Sequence, residues 1–193
     1  MEVLGLVMNY QDHINAVRVN GMNIGKVPYE LMTEEICLLA VSSCAGNLSR
    51  IPSKYRTAKV CMTAANLNGF VLSYVPDELK TKELCMAALQ TVPSAIEHIP
   101  PQLQHDEEVY LYVVGRYGWY LLEIPDEART RNVCLRAIAN NPYAAVGVPF
   151  PVTIEFINDL LELGVDLSKI PPLSITFAGD DVKAFAILHG YGD

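Results

Sequence analysis

Five cysteines, four histidines and several acid pairs are the residues of this chain that could ligate a metal, attack a carbonyl or move a proton. Cys37, Cys61 and Cys85 are spaced 24 residues apart, and Cys134 follows 49 residues later. No C-x-x-C pair occurs, as a zinc or dithiol centre would need. If these cysteines hold one position in stacked helical units, neighbouring sulfurs lie about 8–10 Å apart, one helix-packing distance. That separation excludes both a disulfide and a shared tetrahedral ion, so the four are expected as small, buried core residues. Cys44 is off this register and is the thiol to test for reactivity. His13, His98, His105 and His189 are scattered without an H-E-x-x-H spacing. Glu34-Glu35, Asp106-Glu107-Glu108, Asp126-Glu127 and Asp180-Asp181 mostly fall where helices should start, where acids complement the helix dipole. A phosphate-cradling glycine loop, a nucleophile elbow and a dinucleotide fingerprint are also missing from the sequence. The reading is no metal, no cofactor and no catalytic residue. An enzyme would need a site assembled from scattered residues.

The elements that position these residues follow from a repeat. An aliphatic-Pro pair recurs with its proline at 28, 52, 76, 100, 125, 149 and 171, at spacings of 24, 24, 24, 25, 24 and 22. Five residues past the proline stand Thr33, Thr57, Thr81 and Thr130; nine past it stand Cys37, Cys61, Cys85, Val109 and Cys134. Ala40, Ala64, Ala88, Tyr112 and Ala137 follow three later, and Gly21, Ala45, Gly69, Pro93, Gly118 and Pro142 precede the next proline by seven.

Physically, each threonine is an N-cap. Ile36-Cys37-Ala40-Val41 and its counterparts form one helical face, and the Gly/Pro position ends the helix. A shorter second helix then covers about seven residues, such as Phe70–Val75, and stops where the residue before proline leaves the α region. Neither helix can bury its apolar face alone, so stability must come from stacking.

The expected fold is therefore an all-α solenoid of two-helix repeats of 24–25 residues with a divergent C-terminal cap, forming a single domain over 1–193. Residues 1–27 are a partial unit, 28–149 hold five repeats, and 150–193 are capping helices. These last residues keep the period in Ile154, Ile157, Leu160 and Leu161, lose the Thr, Cys and Ala positions, and open a final helix at Asp180-Asp181.

The phrases Leu79-Lys80-Thr81-Lys82-Glu83-Leu84-Cys85-Met86-Ala87-Ala88-Leu89 and Asn68-Gly69-Phe70-Val71-Leu72-Ser73-Tyr74-Val75-Pro76 resemble a bacterial repeat family known only as a domain of unknown function. Its units are similar to L-x-T-x-E-L-C-x-x-A-V followed by N-G-x-x-L-x-x-[VI]-P, and the resemblance covers about residues 28–149. The unit at 100–124 departs from it, with His105, Val109 and Tyr112 at the Thr, Cys and Ala positions and one extra residue. The resemblance implies helical repeats, interaction roles and often effector-like bacterial proteins. It carries over no catalytic residue.

The deviant unit supplies the binding candidates: Tyr110, Arg116, Tyr117 and Trp119, with Tyr112 and Tyr120 beside them. Tyr, Trp and Arg dominate binding hot spots, although Trp119 aligns with Phe70 and core packing is the favoured reading for it. A ridge two residues before the proline varies freely, with Arg50, Tyr74, His98 and Glu123, and variable side chains on a repeated framework are how solenoids acquire specificity.

Charge narrows the partner. The net charge is -8. Residues 1–100 carry 8 basic and 9 acidic groups, and residues 101–193 carry 6 and 13, a net of -7. Such a field disfavours nucleic acid and favours a basic protein. The start Met1-Glu2-Val3-Leu4-Gly5-Leu6-Val7-Met8 lacks a basic leader, and no apolar run is long enough for a membrane span. The free thiols fit a reducing, cytoplasmic setting.

The functional expectation is a non-enzymatic protein-binding scaffold, an inhibitor or immunity-type protein that neutralises its partner. The alternatives are a translocated effector or adaptor, an enzyme with an unrecognised site, and a self-associating assembly module.

Overall fold

The computed structural model describes residues 8–172 and 174–192; the leader reading rests on residues 1–7, which lie outside them. Among the described residues the regular structure is helical, apart from one isolated parallel bridge between Val152 and Phe177. The α-helices are α1 (Tyr10–Val19), α2 (Glu34–Ser43), α3 (Ala58–Leu67), α4 (Lys82–Thr91), α5 (Glu107–Arg116), α6 (Arg131–Asn140), α7 (Ile154–Glu162) and α8 (Asp180–Leu188). None is long and apolar enough to cross a membrane.

Four helices of the repeat, α2, α3, α4 and α6, start where their threonine puts them. Thr33, Thr57, Thr81 and Thr130 are extended N-caps whose hydroxyl oxygens accept from Ile36, Val60, Leu84 and Val133 N–H at 3.3–3.4 Å. The same hydroxyls tie neighbouring helices together. Thr57 donates to Glu34 Oε1 at 2.5 Å, and Thr130 donates to Glu107. Ile36-Cys37-Ala40-Val41 and the equivalent residues of α3, α4 and α6 are buried as the period requires.

The shorter second element is a six-residue 3-10 helix, not an α-helix: Gly21–Lys26, Ala45–Arg50, Gly69–Tyr74, Pro93–His98, Gly118–Glu123 and Pro142–Gly147. Its length is set from both sides. The preceding residue is an extended cap, and Asn20, Asn68 and Asn141 there accept from the second 3-10 residue. The residue that follows is held extended by the next proline, as at Val75 with φ -74° and ψ 130°. Six residues favour bonds to the third residue back, and these repeat the inward face every three residues. A 3-10 turn that the repeat pattern does not reveal also follows most of the prolines, for example Tyr29–Leu31 and Asp77–Leu79.

Gly69 explains the small position that opens the 3-10 helix. A Cβ there would stand 2.1 Å from Ala88 O on the next α-helix, and one on Gly118 would stand 2.3 Å from Ala137 O. Gly69 N–H donates to Thr91 Oγ1 and Gly118 N–H to Asn140 Oδ1, so this close approach is also hydrogen-bonded.

The chain's contacts gather into two compact units, Met1–Pro100 and Pro101–Asp193. In the first, α1 is opened by an Asn9/Asp12 capping box, and buried His13 takes the position held elsewhere by cysteine. In the second, α7 and α8 follow the last repeat, as expected. The threonine position does not vanish there, however. Thr153 caps α7 by accepting from Phe156 N–H, and Ile157 and Leu160 fill the Cys and first Ala positions.

Candidate partner-binding surface

The thiols are placed for packing. Cys37, Cys61, Cys85 and Cys134 have no exposed surface, and burial pushes the first three up to about 11 and Cys134 to about 12. The weak S–H donors of Cys61 and Cys134 point at the carbonyls five residues back, Arg56 O and Arg129 O, both at 3.5 Å, and that of Cys85 points at Lys80 O at 3.9 Å. Cys44 is exposed, the 3-10 cap of its unit. Among the described residues no three His, Cys, Asp or Glu side chains gather in a way that could hold a metal.

Tyr110 requires a correction. The extra residue of the deviant unit lies before its helix, so Asp106 rather than His105 is the N-cap, and the register moves by one. Tyr110, not Val109, then takes the Cys position, and Val113, not Tyr112, takes the Ala position. Tyr110 is 1% exposed, and its hydroxyl donates to Gln104 O at 2.9 Å, replacing the thiol-to-carbonyl contact of the other units. It is a core residue and is removed from the candidate surface.

The remaining candidates fall in both units. In Met1–Pro100, Arg50, Tyr74 and His98 close three successive 3-10 helices at one register position; Arg50 and Tyr74 are exposed and His98 is half-buried. In Pro101–Asp193, Arg116 ends α5 exposed, with its guanidinium 6.0 Å from the centre of the Tyr112 ring. Tyr117 is half-buried at the junction and meets Tyr120 edge-on, with ring centres 6.3 Å apart. Glu123 is exposed at the end of its 3-10 helix.

Trp119 is 50% exposed, which rules out the core reading taken from its alignment with Phe70, itself 58% exposed. The reason is the period of three. With Gly118 and Leu121 inward, Trp119 and Leu122 must face outward.

The next 3-10 helix, Pro142–Gly147, lies alongside and presents Tyr143 and Val146 at the same two positions. Leu122, Tyr143 and Val146 are 50%, 68% and 56% exposed. Gly147 lets the two segments close, since a Cβ on it would stand 3.1 Å from Leu122 Cδ2. Trp119 is held against the Tyr120 ring with centres 4.0 Å apart. Of these four residues, only Trp119 was a sequence candidate. The signal for the others was available in the repeat itself, at six and three residues before each proline.

Arg56 and Arg129 were missed as well. Four residues past the proline, Arg129 donates through Nε to Ile124 O at 2.8 Å and through its terminal nitrogens to Gly147 O and Leu122 O at 3.1 Å. Arg56 repeats this clip on Ile51 O, Ser49 O and Tyr74 O. Each guanidinium thus joins two successive 3-10 helices by their carbonyls.

A cleft of about 420 Å³ lies between the starts of α6 and α7, with Phe150 set edge-on to Phe156 at 5.7 Å. Its Arg131 is engaged by Asp159 and lies over the Phe156 ring.

A family model described as a domain of unknown function (DUF4116) matches residues 59–104. That stretch is similar to the family. It spans 46 residues (59 to 104 inclusive), close to two repeat periods, and runs from α3 through the 3-10 turn Pro101–Leu103. No curated protein and no solved structure matches the chain.

Proposed function

We propose that this protein is a non-enzymatic protein-binding scaffold of the inhibitor or immunity type, which binds and neutralises a partner protein in a bacterial cytoplasm. The observation that carries the reading is the contrast between inside and outside. The inward positions stay similar in most units, with buried thiols and alanines on α2, α3, α4 and α6, each behind a threonine cap. The outward positions of the 3-10 helices change from Met22 to Gly46, Phe70, Ser94, Trp119 and Tyr143. A largely constant interior with a changing exterior suits recognition. The buried thiols, raised to about 11 and 12, are protonated near neutral pH and poorly suited to nucleophilic work.

The test is to capture the tagged full chain from its host's lysate at moderate salt, purify any stoichiometric partner, and assay that partner's own activity. The expected result is loss of that activity at equimolar scaffold. A partner whose activity is untouched, or a chain that stays alone, overturns the inhibitor reading.

A further inference from the structure

We infer that the outward face of the two 3-10 helices Gly118–Glu123 and Pro142–Gly147 docks an apolar peptide segment of a partner protein, one flanked by lysine or arginine. The inference rests on the scaffold reading above and names its surface and the partner's chemistry.

Trp119, Leu122, Tyr143 and Val146 form two rows of large apolar side chains, each at least half exposed, on segments that lie side by side. The face is preorganised. Arg129 ties Leu122 O to Gly147 O, the Leu122 side chain rests at Gly147, and the Trp119 ring is set against Tyr120 at a tilt of 31°. A rigid aromatic anchor loses little conformational freedom on binding, which is the property of a hot spot.

The rim determines the occupant. Glu123 follows Leu122, Asp126 and Glu127 open the next turn, and all three are exposed. Of the cations nearest in sequence, Arg129 is turned inward onto three carbonyls and Asp126, while Arg116 is exposed with its guanidinium 6.0 Å from the Tyr112 ring centre. Beyond the second row, Asp166 and Lys169 pair with each other at 3.3 Å. Glu123 and Glu127 add to the net charge of -7 that residues 101–193 carry. A segment with positive flanks gains from it, while an anionic membrane surface or a second copy of this acidic face is repelled.

The experiment is selection of a random twelve-residue peptide display library on the full chain, followed by titration of a synthetic consensus peptide by fluorescence anisotropy. Expected are sequences with two or more large apolar residues next to Lys or Arg. Affinity should fall at least about tenfold in Trp119→Ser/Tyr143→Ser and about fivefold in Glu123→Lys/Glu127→Lys, with stronger binding at low salt. Far-UV circular dichroism should match the parent for both variants. Because both positions of the charge-reversal pair are exposed, it keeps the test valid should the aromatic pair misfold. Acidic or charge-free consensus peptides, or binding that neither pair alters, overturn the surface while leaving the scaffold reading intact. A dimer abolished by the aromatic pair replaces the peptide with a second copy and overturns the proposal. No enrichment from the library overturns it too, and the partner-capture assay then decides the scaffold reading separately.

Discussion

At the residue scale, the same position can be filled by chemically different side chains provided each meets the carbonyl in front of it. Cys61 and Cys134 do so with a thiol, and Tyr110 does so with a hydroxyl that reaches Gln104 O across the extra residue. Burial raises the thiols from an ordinary 9.0 to about 11 or 12. For a group held protonated in the fold, the contribution to stability is full below pH 9 and is lost as pH climbs through the folded value. Urea midpoints are therefore expected to hold up to about pH 9 and to decline from there towards pH 11. A midpoint that rises over that window would contradict the burial of the thiols. The same burial predicts that a maleimide labels Cys44 in the folded protein and all five cysteines in urea, as read by mass spectrometry.

At the element scale, the arginine clip connects consecutive 3-10 helices by donating to carbonyls of both. Arg129→Met keeps much of the side-chain stem and removes three donors, so destabilisation of about 2 kcal/mol is expected from losing hydrogen bonds to a charged group. Arg56→Met should behave alike in its own unit. A surface change such as Glu127→Ala should stay within about 0.5 kcal/mol. Urea unfolding of the three variants checks the ranking, and an Arg129→Met midpoint equal to that of Glu127→Ala would show the clip to be ornamental. The threonine caps were legible in the sequence because a cap is a local event, decided by one hydroxyl and the three residues after it. The clip was not, because Arg129 reaches Gly147 O, 18 residues away, through a side chain whose type alone reads as a surface charge.

At the scale of the whole molecule, the chain gathers into two compact units at Pro100 and Pro101, in the repeat that carries the additional residue. Solenoid stability is a sum of units and the interfaces between neighbours, so an irregular connection is where protection should be least. Gln102, Gln104 and His105 are exposed there. Brief digestion with a protease of broad specificity should therefore cut first between Gln102 and Asp106, leaving two resistant fragments. First cuts inside α3 or α6, or an even ladder of fragments, would show that the irregular connection is as well protected as the rest.

The amino-acid sequence by itself determined the repeat, its caps, the α-helices and the buried Cys/Ala face, because each depends on a short period or on neighbours within one turn. It also determined that residues 101–193 would be acidic. Only the tertiary structure decided which way the deviant unit turns. Counting from prolines cannot say whether an extra residue sits before a helix or within it, and that one-residue choice sent Tyr110 inward to Gln104 O. The close packing, in which a Cβ on Gly69 would stand 2.1 Å from Ala88 O, together with the flanking proline, made the second element a 3-10 helix. Its period of three then turned Trp119 and Leu122 outward. The candidate surface is thus a product of packing between two segments one repeat apart in the sequence.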